Sequence, residues 1–316
     1  MPERLVVATS GAALDRARAA WLIRELAAAW PERELAIALL ALEPGSSAAR
    51  EALRAGRADL ALHALAELDL APAPGIARVA VPQRGDPREA LVSRGGRVLA
   101  YLPEGSRVGV DCQRRGGQLL RRRSDLVLVP SAGDPASRLA RLDADGCEAL
   151  VLGAAELERL DLGARIAERF DPDQMIPAPG QAALALEARA DDARMRELLA
   201  PLHDPLSAYA VEAERACLAR LGAGPGAPVG VHAITDGEQM VVRGAVVSAD
   251  GTRTARMHWS GPARDAVDLG ETLAELLISI GADKILSGAP MPRTLRYSLH
   301  PGGRDVEPGG EAEPPA

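Results

Sequence analysis

The sequence lacks the features that mark several common protein classes. Its three cysteines, Cys112, Cys147 and Cys217, lie far apart without CxxC spacing, so they predict neither a disulfide framework nor a metal site. No apolar run is long enough to cross a bilayer, because Arg, Asp or Glu interrupts even the most apolar stretches. No apolar signal segment follows Met1. We therefore expect a cytoplasmic protein without a membrane role.

Local fingerprints of common enzyme families are also missing. There is no Walker A loop, no HExxH helix and no GxSxG elbow. The glycine-rich residues 222–226 do not lie between the strand and the helix of a βαβ unit, so on their own they predict a linker rather than a dinucleotide loop. The formal net charge of −7 gives no general attraction to nucleic acid, so an anion site would need a local basic cluster.

Short apolar strands alternate with amphipathic helices up to about residue 222. Apolar residues mostly three or four apart between Leu14 and Trp30 predict one helix, and residues 47–55 predict another. This alternation predicts mainly parallel sheets covered on both faces, as in an α/β fold. The length of 316 residues, 47% of them hydrophobic, allows two or three domains. The predicted strands are residues 5–9, 35–42, 59–63, 108–112, 126–130 and 149–153.

The pattern changes after residue 222. Three strands are predicted at residues 229–234, 240–247 and 254–259, joined by Asp-Gly pairs that favour hairpin turns. A helical apolar stripe follows at residues 265–281, so this part predicts a C-terminal α+β domain with a three-stranded antiparallel sheet. Residues 301–316 are mostly Pro, Gly and acidic residues and predict a disordered tail.

A series of longer segments in a fixed order identifies the chain more specifically. Over about residues 4–290 the chain resembles hydroxymethylbilane synthase, also called porphobilinogen deaminase. Each segment is a weak signal alone, but their order and spacing together are specific. They are residues 58–63, 84–93, 114–119, 149–152, 157–160, 177–181 and 213–216.

The resemblance implies a fold of three domains. Two are α/β domains resembling the halves of a periplasmic binding protein, formed by residues 1–82 with 183–203 and by residues 88–178, with a cleft between them. Residues 205–300 form the third, which in the family carries the cofactor loop. Family members join four porphobilinogen units head to tail and release ammonia at each step. They prime that chain on a dipyrromethane held by a cysteine thioether, with an aspartate as acid and arginines on the carboxylates.

Several of the family's chemical groups are lost here. The cofactor cysteine corresponds to Pro225, which has no nucleophile, so we expect no covalent dipyrromethane. The family's His-Ser-Met-Lys-Asp segment reads His63-Ala64-Leu65-Ala66-Glu67, so the lysine is absent and the acid, Glu67, is one methylene longer. His63 itself is predicted as a core residue at a strand end. Arginines are also lost at Ser10 and Ala132, and the lysine-rich lid over the cleft is deleted between residues 42 and 47.

Other binding groups of the family are retained. Arg114, Arg115, Arg138, Arg159 and Gln181 stand at matching positions, and the first pair follows a strand end and begins a helix, where backbone amides also favour anions. Guanidinium groups hold carboxylates bidentately and stay charged, so this set predicts a polycarboxylate-binding cleft. The run of residues 121–123, all arginine, is predicted as a solvated helix face instead.

Cys112 stands where the family has a hydroxyl residue, separated from the arginine pair only by Gln113. It is either a substitute anchor for the primer or a packed cysteine at a strand end. Two functions therefore stay open. The favoured one is a divergent, catalytically impaired or inactive member that binds a polycarboxylate or tetrapyrrole as a monomer, without nucleic acid, membrane or metal. The other is a working synthase that holds its primer noncovalently or through Cys112, while a periplasmic-type binding module is disfavoured.

Overall fold

The computed structural model describes residues 3–43, 45–144 and 146–288. Three sheets divide these residues into three domains, two with five strands each and one with three. The predicted α/β fold with a C-terminal α+β domain is confirmed. The predicted tail at residues 301–316 lies outside the described residues.

Domain 1 is built on a sheet with the strand order β2-β1-β3-β10-β4. Strands β1, β2 and β3 are parallel, whereas β10 is antiparallel to both of its neighbours. Leu5, Leu22 and Leu186 are fully buried in its core, where α1 covers the sheet. Its elements are β1 (Glu3–Ser10), α1 (Ala13–Ala29), β2 (Leu35–Leu42), α2 (Ser46–Arg54), β3 (Leu60–Ala64), β4 (Ile76–Ala80), β10 (Leu184–Arg189) and α6 (Ala193–Leu199).

Domain 2 repeats this plan with the strand order β7-β6-β8-β5-β9. Strands β5 and β8 are buried at every position, and β8 is accordingly apolar throughout rather than alternating, whereas β5 also carries Glu89 and Ser93. Its elements are β5 (Glu89–Ser93), β6 (Arg107–Val110), α3 (Gln113–Arg122), β7 (Val127–Pro130), α4 (Pro135–Asp143), β8 (Ala149–Gly153), α5 (Ala154–Arg159) and β9 (Glu168–Arg169).

The chain crosses between domains 1 and 2 twice, from β4 to β5 and from β9 to β10. Each crossing leads into the reversed strand of the next sheet, so each sheet is mixed rather than wholly parallel. The two crossings contact each other, because Arg84 Nε donates to the Gln181 carbonyl at 2.7 Å. These two connecting segments, residues 81–88 and 170–183, form the hinge between the two domains.

Domain 3 is a three-stranded antiparallel sheet with helices packed on it. Both predicted Asp-Gly turns are present, with Gly237 and Gly251 at positive φ angles of 102° and 70° that favour glycine. Its elements are α7 (Pro205–Arg220), β11 (Val229–Thr235), β12 (Gln239–Val247), β13 (Thr254–Pro262), α8 (Ala266–Ser279) and α9 (Ala282–Leu286).

Two contacts dock domain 3 onto the other domains. On α3, a Cβ added at Gly117 would lie 2.3 Å from the Ser248 carbonyl oxygen, so the β12–β13 hairpin packs directly on the helix backbone. On α7, the fully buried Glu214 accepts hydrogen bonds from Arg84 and from the amides of Gly180 and Ala233. This carboxylate therefore joins both hinge crossings to β11.

No helix within residues 3–43, 45–144 and 146–288 combines the length and the apolar character needed to span a membrane.

One predicted boundary is wrong: β6 ends at Val110, and Cys112 is the N-cap residue of α3 rather than the end of a strand. In the run at residues 121–123, Arg121 and Arg122 are exposed as predicted. Arg123 is only partly exposed, because it bonds the carbonyl oxygens of Leu99 and Leu102 and the carboxylate of Asp125.

Candidate functional site: the cleft between domains 1 and 2

A cavity of about 300 Å³ lies between domains 1 and 2. Helix α1 and the turn after β3 form one wall, and the first turn of α3 with α5 forms the other. The hinge residue Gln181 lines its floor. Its ionisable lining residues carry equal numbers of positive and negative formal charges, namely Arg18, Arg114, Arg115 and Arg159 against Glu67, Asp86, Asp111 and Glu156.

Arg114 and Arg115 lie in the first turn of α3, and both are bound to the fully buried carboxylate of Glu89 on β5. Arg114 Nη2 donates to Glu89 Oε1 at 2.5 Å, and Arg115 Nε donates to Oε2 at 2.9 Å. Burial acts to raise the pKa of Glu89, but the two guanidinium groups outweigh it and lower that pKa. The pair is therefore anchored within the protein, at 3% and 6% exposure.

Asp111 connects the same cluster to Arg138 of α4. Its Oδ2 accepts from Arg115 Nη1 at 2.5 Å and from Arg138 Nη1 at 2.7 Å, and Arg138 Nη2 donates to the Val151 carbonyl. Burial raises the pKa of Asp111, but Arg115 and Arg138 outweigh it and lower it to about 2. Three arginines thus share two carboxylates, and most of their positive charge is neutralised internally.

Gln181 orients this cluster from the hinge. Its Oε1 accepts from Arg114 Nη2 and from the Ala178 amide, both at 3.2 Å, while its Nε2 donates to the Pro87 carbonyl at 2.8 Å. Because Pro87 and Gln181 belong to different crossings, this side chain joins the hinge to the cleft wall. The structure therefore gives Gln181 a positioning role, and its predicted contact with a ligand stays a prediction.

Glu67 ends a short helical turn after β3 and lines both the main cavity and a second one of about 160 Å³ inside domain 1. The residue is exposed overall, but the cleft takes part of its carboxyl group out of solvent. That burial raises the pKa of the carboxyl group, and Arg18 partly opposes the rise. The predicted role of Glu67 as the acid stays a prediction.

His63 is on β3, with its side chain 10% exposed. Its Nε2 lies 3.5 Å from Glu187, whose carboxylate is already bound by Arg50 through two contacts of 2.8 Å. Burial lowers the pKa of the imidazole. His63 therefore faces an ion pair that joins α2 to β10, and it also lines the smaller cavity of domain 1 instead of being enclosed in the core.

Arg159, at the end of α5, differs from the other predicted arginines. Its guanidinium lies over the Trp21 ring of α1, 4.9 Å from the ring centroid, and its buried Nη1 has no hydrogen-bond partner among the residues that the structure describes. Burial, followed by Arg18 and Arg24, lowers its pKa to about 10. Its predicted contact with a ligand carboxylate stays a prediction.

The loop that holds Pro225 reaches the edge of the cleft. Pro225, Cys112, Arg114 and Ala66 line one cavity of about 70 Å³, so the degenerate loop faces the arginine cluster as the resemblance implies. The pyrrolidine of Pro225 has no group that could form a thioether, so this position does not fit a covalent dipyrromethane. Cys112 has the only thiol among these lining residues.

The sequence analysis did not single out several charged residues in or beside the cleft, among them Arg18, Glu89 and Asp111. Glu89 lies in the segment of residues 84–93, and its signal was a charged residue at the start of a short strand. Asp111 precedes Arg115 by four residues, a spacing at which ion pairs form. Arg18 interrupts the apolar stripe of α1. Within the described ranges, no group of three or more His, Cys, Asp or Glu side chains is arranged to hold a metal ion.

The comparisons with known proteins agree with this arrangement. A family model described as "Porphobilinogen deaminase, dipyromethane cofactor binding domain" matches residues 46–197, and one described as "Porphobilinogen deaminase, C-terminal domain" matches residues 208–279. The porphobilinogen deaminase of Roseiflexus sp. (strain RS-1) is 44% identical over 238 residues, which are 75% of this chain and 78% of the relative. That of Methylobacillus flagellatus is 37% identical and covers 92% of this chain and 98% of its own.

Among solved structures, a periplasmic substrate-binding protein from Coxiella burnetii is similar, with a TM-score of 0.42 and 15% identity over 65% of this chain and 94% of that one. The two α/β domains, the cleft between them and the docked third domain define a three-domain protein of the deaminase type. The chain belongs to the porphobilinogen deaminase family, a transferase family of tetrapyrrole biosynthesis also called hydroxymethylbilane synthase. The predicted family is therefore confirmed.

Proposed function

We propose that this protein binds a pyrrole or tetrapyrrole polycarboxylate in its cleft without a covalent cofactor, and that its porphobilinogen-joining activity is impaired or absent. The observation that carries the proposal is Pro225, which stands in the loop facing the cleft and offers no sulfur. We expect a cytoplasmic monomer whose partner is the small-molecule ligand rather than nucleic acid or a membrane.

The acid in the cleft supports the impairment. Glu67 retains a carboxyl group, but Ala66 replaces the family's lysine, and the carboxyl is one methylene further from the backbone. A displacement of about 1 Å in a catalytic group can reduce a rate by about a hundredfold. Loss of the primer anchor adds to this deficit, because the acid then has no fixed chain end to act upon.

Intact mass spectrometry of the denatured protein tests the proposal directly. We expect the mass of the polypeptide alone, and no uroporphyrin above a buffer control after incubation with porphobilinogen. Glu67→Asp should not restore activity by itself, whereas Pro225→Cys should gain a covalent adduct if the loop still delivers position 225 to the cleft. Turnover comparable with that of a family enzyme would contradict the proposal.

A working synthase anchored through Cys112 is the second candidate, because Cys112 and Pro225 line the same cavity. It requires an adduct on the purified protein, mapped by peptide mass to Cys112 and lost in Cys112→Ser. Cys147 serves as the matched control, since it is 4% exposed and burial raises the pKa of its thiol. A bare polypeptide mass excludes covalent anchoring.

A further inference from the structure

Strand β2 (Leu35–Leu42) leaves one edge of the domain 1 sheet open. Among the described residues, β1 is the only strand that pairs with it. The eight residues of β2 are all apolar, without a charge or a proline, and Leu39 is 45% exposed. Proteins protect a free sheet edge with charges, prolines or very short strands, because its unpaired backbone groups accept another strand. Strand β2 has none of these protections.

The corresponding edge of domain 2 is protected. Strand β7 (Val127–Pro130) has the same place in a sheet of the same plan, but it is only four residues long. It also ends in Pro130, which has no N–H to donate to a further strand. The two edges therefore differ in their ability to accept a strand, although the two sheets share a topology. Of the two, β2 is the edge suited to pairing.

Half of the backbone groups of β2 point away from β1. The Glu34 carbonyl accepts from the Glu3 amide at 2.8 Å, so it points towards β1, and this direction alternates along a strand. The N–H and C=O groups of the odd-numbered residues from Leu35 to Ala41 therefore point outward. A further strand can bond all of them. None of residues 35–41 lines the cleft cavity or the smaller cavity of domain 1, so such a strand would leave both cavities uncovered.

A second copy of β2 matches this edge in an antiparallel register centred on Ala38. With Ala38 opposite its own copy, Ile37 lies opposite Leu39, and Leu35 lies opposite Ala41. Outward-pointing residues then face one another, which is the arrangement that antiparallel hydrogen bonds require. Every side chain paired between positions 35 and 41 is apolar, so no charge is buried by the pairing.

The residues that flank β2 carry opposite charges. In this register Arg33, before the strand, lies opposite Glu43, after the strand, and two-fold symmetry repeats the pair at the other end. A shift of two residues in either direction breaks both pairs. Arg33 also contacts Glu197 of its own chain at 2.6 Å, but that acid is 68% exposed, and such surface pairs contribute little. The flanking charges therefore complement an antiparallel second copy.

We propose that two copies of this chain associate through β2, paired antiparallel about a two-fold axis at Ala38, so that the two domain 1 sheets become one. Each copy contributes a single β2, so the pairing closes at a dimer. The inference goes beyond the proposed function and leaves the ligand-binding cleft within each chain. The expected monomer is then the form present at low concentration.

Sedimentation equilibrium of the full-length protein over a series of concentrations tests the association. The mass should rise from that of one chain towards that of two. Leu39→Lys should raise the dissociation constant of the dimer by about tenfold or more, because it places a charge at the centre of the apolar pairing. Val127→Lys is the matched control, since Val127 is 49% exposed on the corresponding edge strand of domain 2. It should leave the dissociation constant unchanged.

Disulfide trapping tests the register. In a Cys112→Ser background the two remaining cysteines are buried. Ala38→Cys should then form an intermolecular disulfide under mild oxidation, because Cα atoms directly opposite each other in a non-hydrogen-bonded pair are about 4.5 Å apart, within disulfide reach. Ala36→Cys is the matched control, since position 36 is exposed on the same strand but its own copy lies four residues away along the partner strand. Equal trapping at positions 36 and 38 would contradict the register.

Exchanging the flanking charges gives an independent readout. Arg33→Glu and Glu43→Arg should each weaken self-association, whereas a mixture of the two variants should associate again, because each then supplies the charge that the other needs. Thermal melting confirms that each variant folds. The proposal is wrong if the protein stays a single chain at every concentration and Ala38→Cys forms no intermolecular disulfide. It is also wrong if Leu39→Lys dimerises as tightly as the wild type, since the interface then lies elsewhere.

Discussion

Five arginines lie at or beside the cleft, and their partners divide them into two groups. Arg18 pairs with Asp15 and Arg159 lies over the Trp21 ring, whereas the other three belong to the cluster around Glu89 and Asp111. Arg114 and Arg115 are bound to the fully buried carboxylate of Glu89, whereas Arg138 is bound to Asp111, which is exposed to solvent. Removing Arg114 or Arg115 would leave Glu89 incompletely paired in the interior. Breaking such a pair costs about 3–5 kcal/mol. Their predicted role in ligand binding stays a prediction, and any variant of them must first be tested for folding.

The pH dependence of stability tests whether the cleft raises the pKa of the Glu67 carboxyl group. Burial raises the pKa of this carboxyl in the folded protein, so its stabilising contribution is complete below the unfolded pKa and is lost as pH rises through the folded pKa. The wild type should therefore lose stability relative to Glu67→Gln between pH 4 and pH 7. Because water reaches the group, we expect less than about 1 kcal/mol.

Urea unfolding of both proteins across that pH range measures the difference. The two stability curves should diverge in favour of the glutamine variant as pH rises. Curves that stay parallel from pH 4 to pH 7 would show that the cleft does not perturb Glu67. Divergence in the opposite direction would show that nearby arginines outweigh its burial.

At the scale of elements, helix α3 is held by the close approach of a hairpin from domain 3. Gly117→Ala places a Cβ 2.3 Å from the Ser248 carbonyl, a backbone atom that cannot turn aside. We expect a loss of about 1–3 kcal/mol in the free energy of unfolding. Faster proteolysis of the β12–β13 hairpin should accompany it.

Gly116→Ala is the matched control on the same helix. Its Cβ would meet Leu128 Cδ1 at 2.8 Å, the end of a side chain that can move. The higher helix propensity of alanine, up to about 1 kcal/mol, offsets that contact. Equal destabilisation by both substitutions would mean that the hairpin contact is not what restricts position 117.

The elements also show what the sequence could predict. The strands of domain 3 were predictable because apolar runs and Asp-Gly turns are local signals. Strand β10 was not, since its sequence Leu-Ala-Leu-Glu-Ala-Arg favours a helix and becomes a strand only between β3 and β4. In the cleft, the arginines were recognisable from motif order. Their partners Glu89 and Trp21 are brought to them only by tertiary folding.

At the scale of the whole molecule, Glu214 joins domain 3 to both chain segments that connect domains 1 and 2. Burial raises its pKa, but Arg84 and His232 outweigh burial and lower it to about 2. The contribution of ionised Glu214 to the free energy of unfolding is therefore complete above the unfolded pKa of about 4.3 and is lost as pH falls towards 2. Glu214→Gln should lower the free energy of unfolding at pH 7 by about 3–5 kcal/mol, because it leaves Arg84 without its carboxylate.

Chemical unfolding at pH 7 and at pH 3 tests this role. The gap between the wild type and Glu214→Gln should narrow as pH falls. Glu212→Gln is the control on the same helix, since Glu212 makes a 3.5 Å surface pair with Arg78 and should cost less than about 1 kcal/mol. If Glu214→Gln lowers the free energy of unfolding no more than the control does, Glu214 does not stabilise the hinge.

The position of β10 also sets the order in which the chain can fold during synthesis. In the sheet of domain 1, β10 lies between β3 and β4, so these two strands have no strand between them until residue 189 has been synthesised. The sheet of domain 2 is formed entirely by residues 89–169, an uninterrupted stretch that leaves the ribosome earlier. Domain 2 is therefore able to finish first, and the N-terminal strands wait as an incomplete sheet with exposed edges. A pause in translation between residues 169 and 189 would prolong that exposure more than a pause later in the chain.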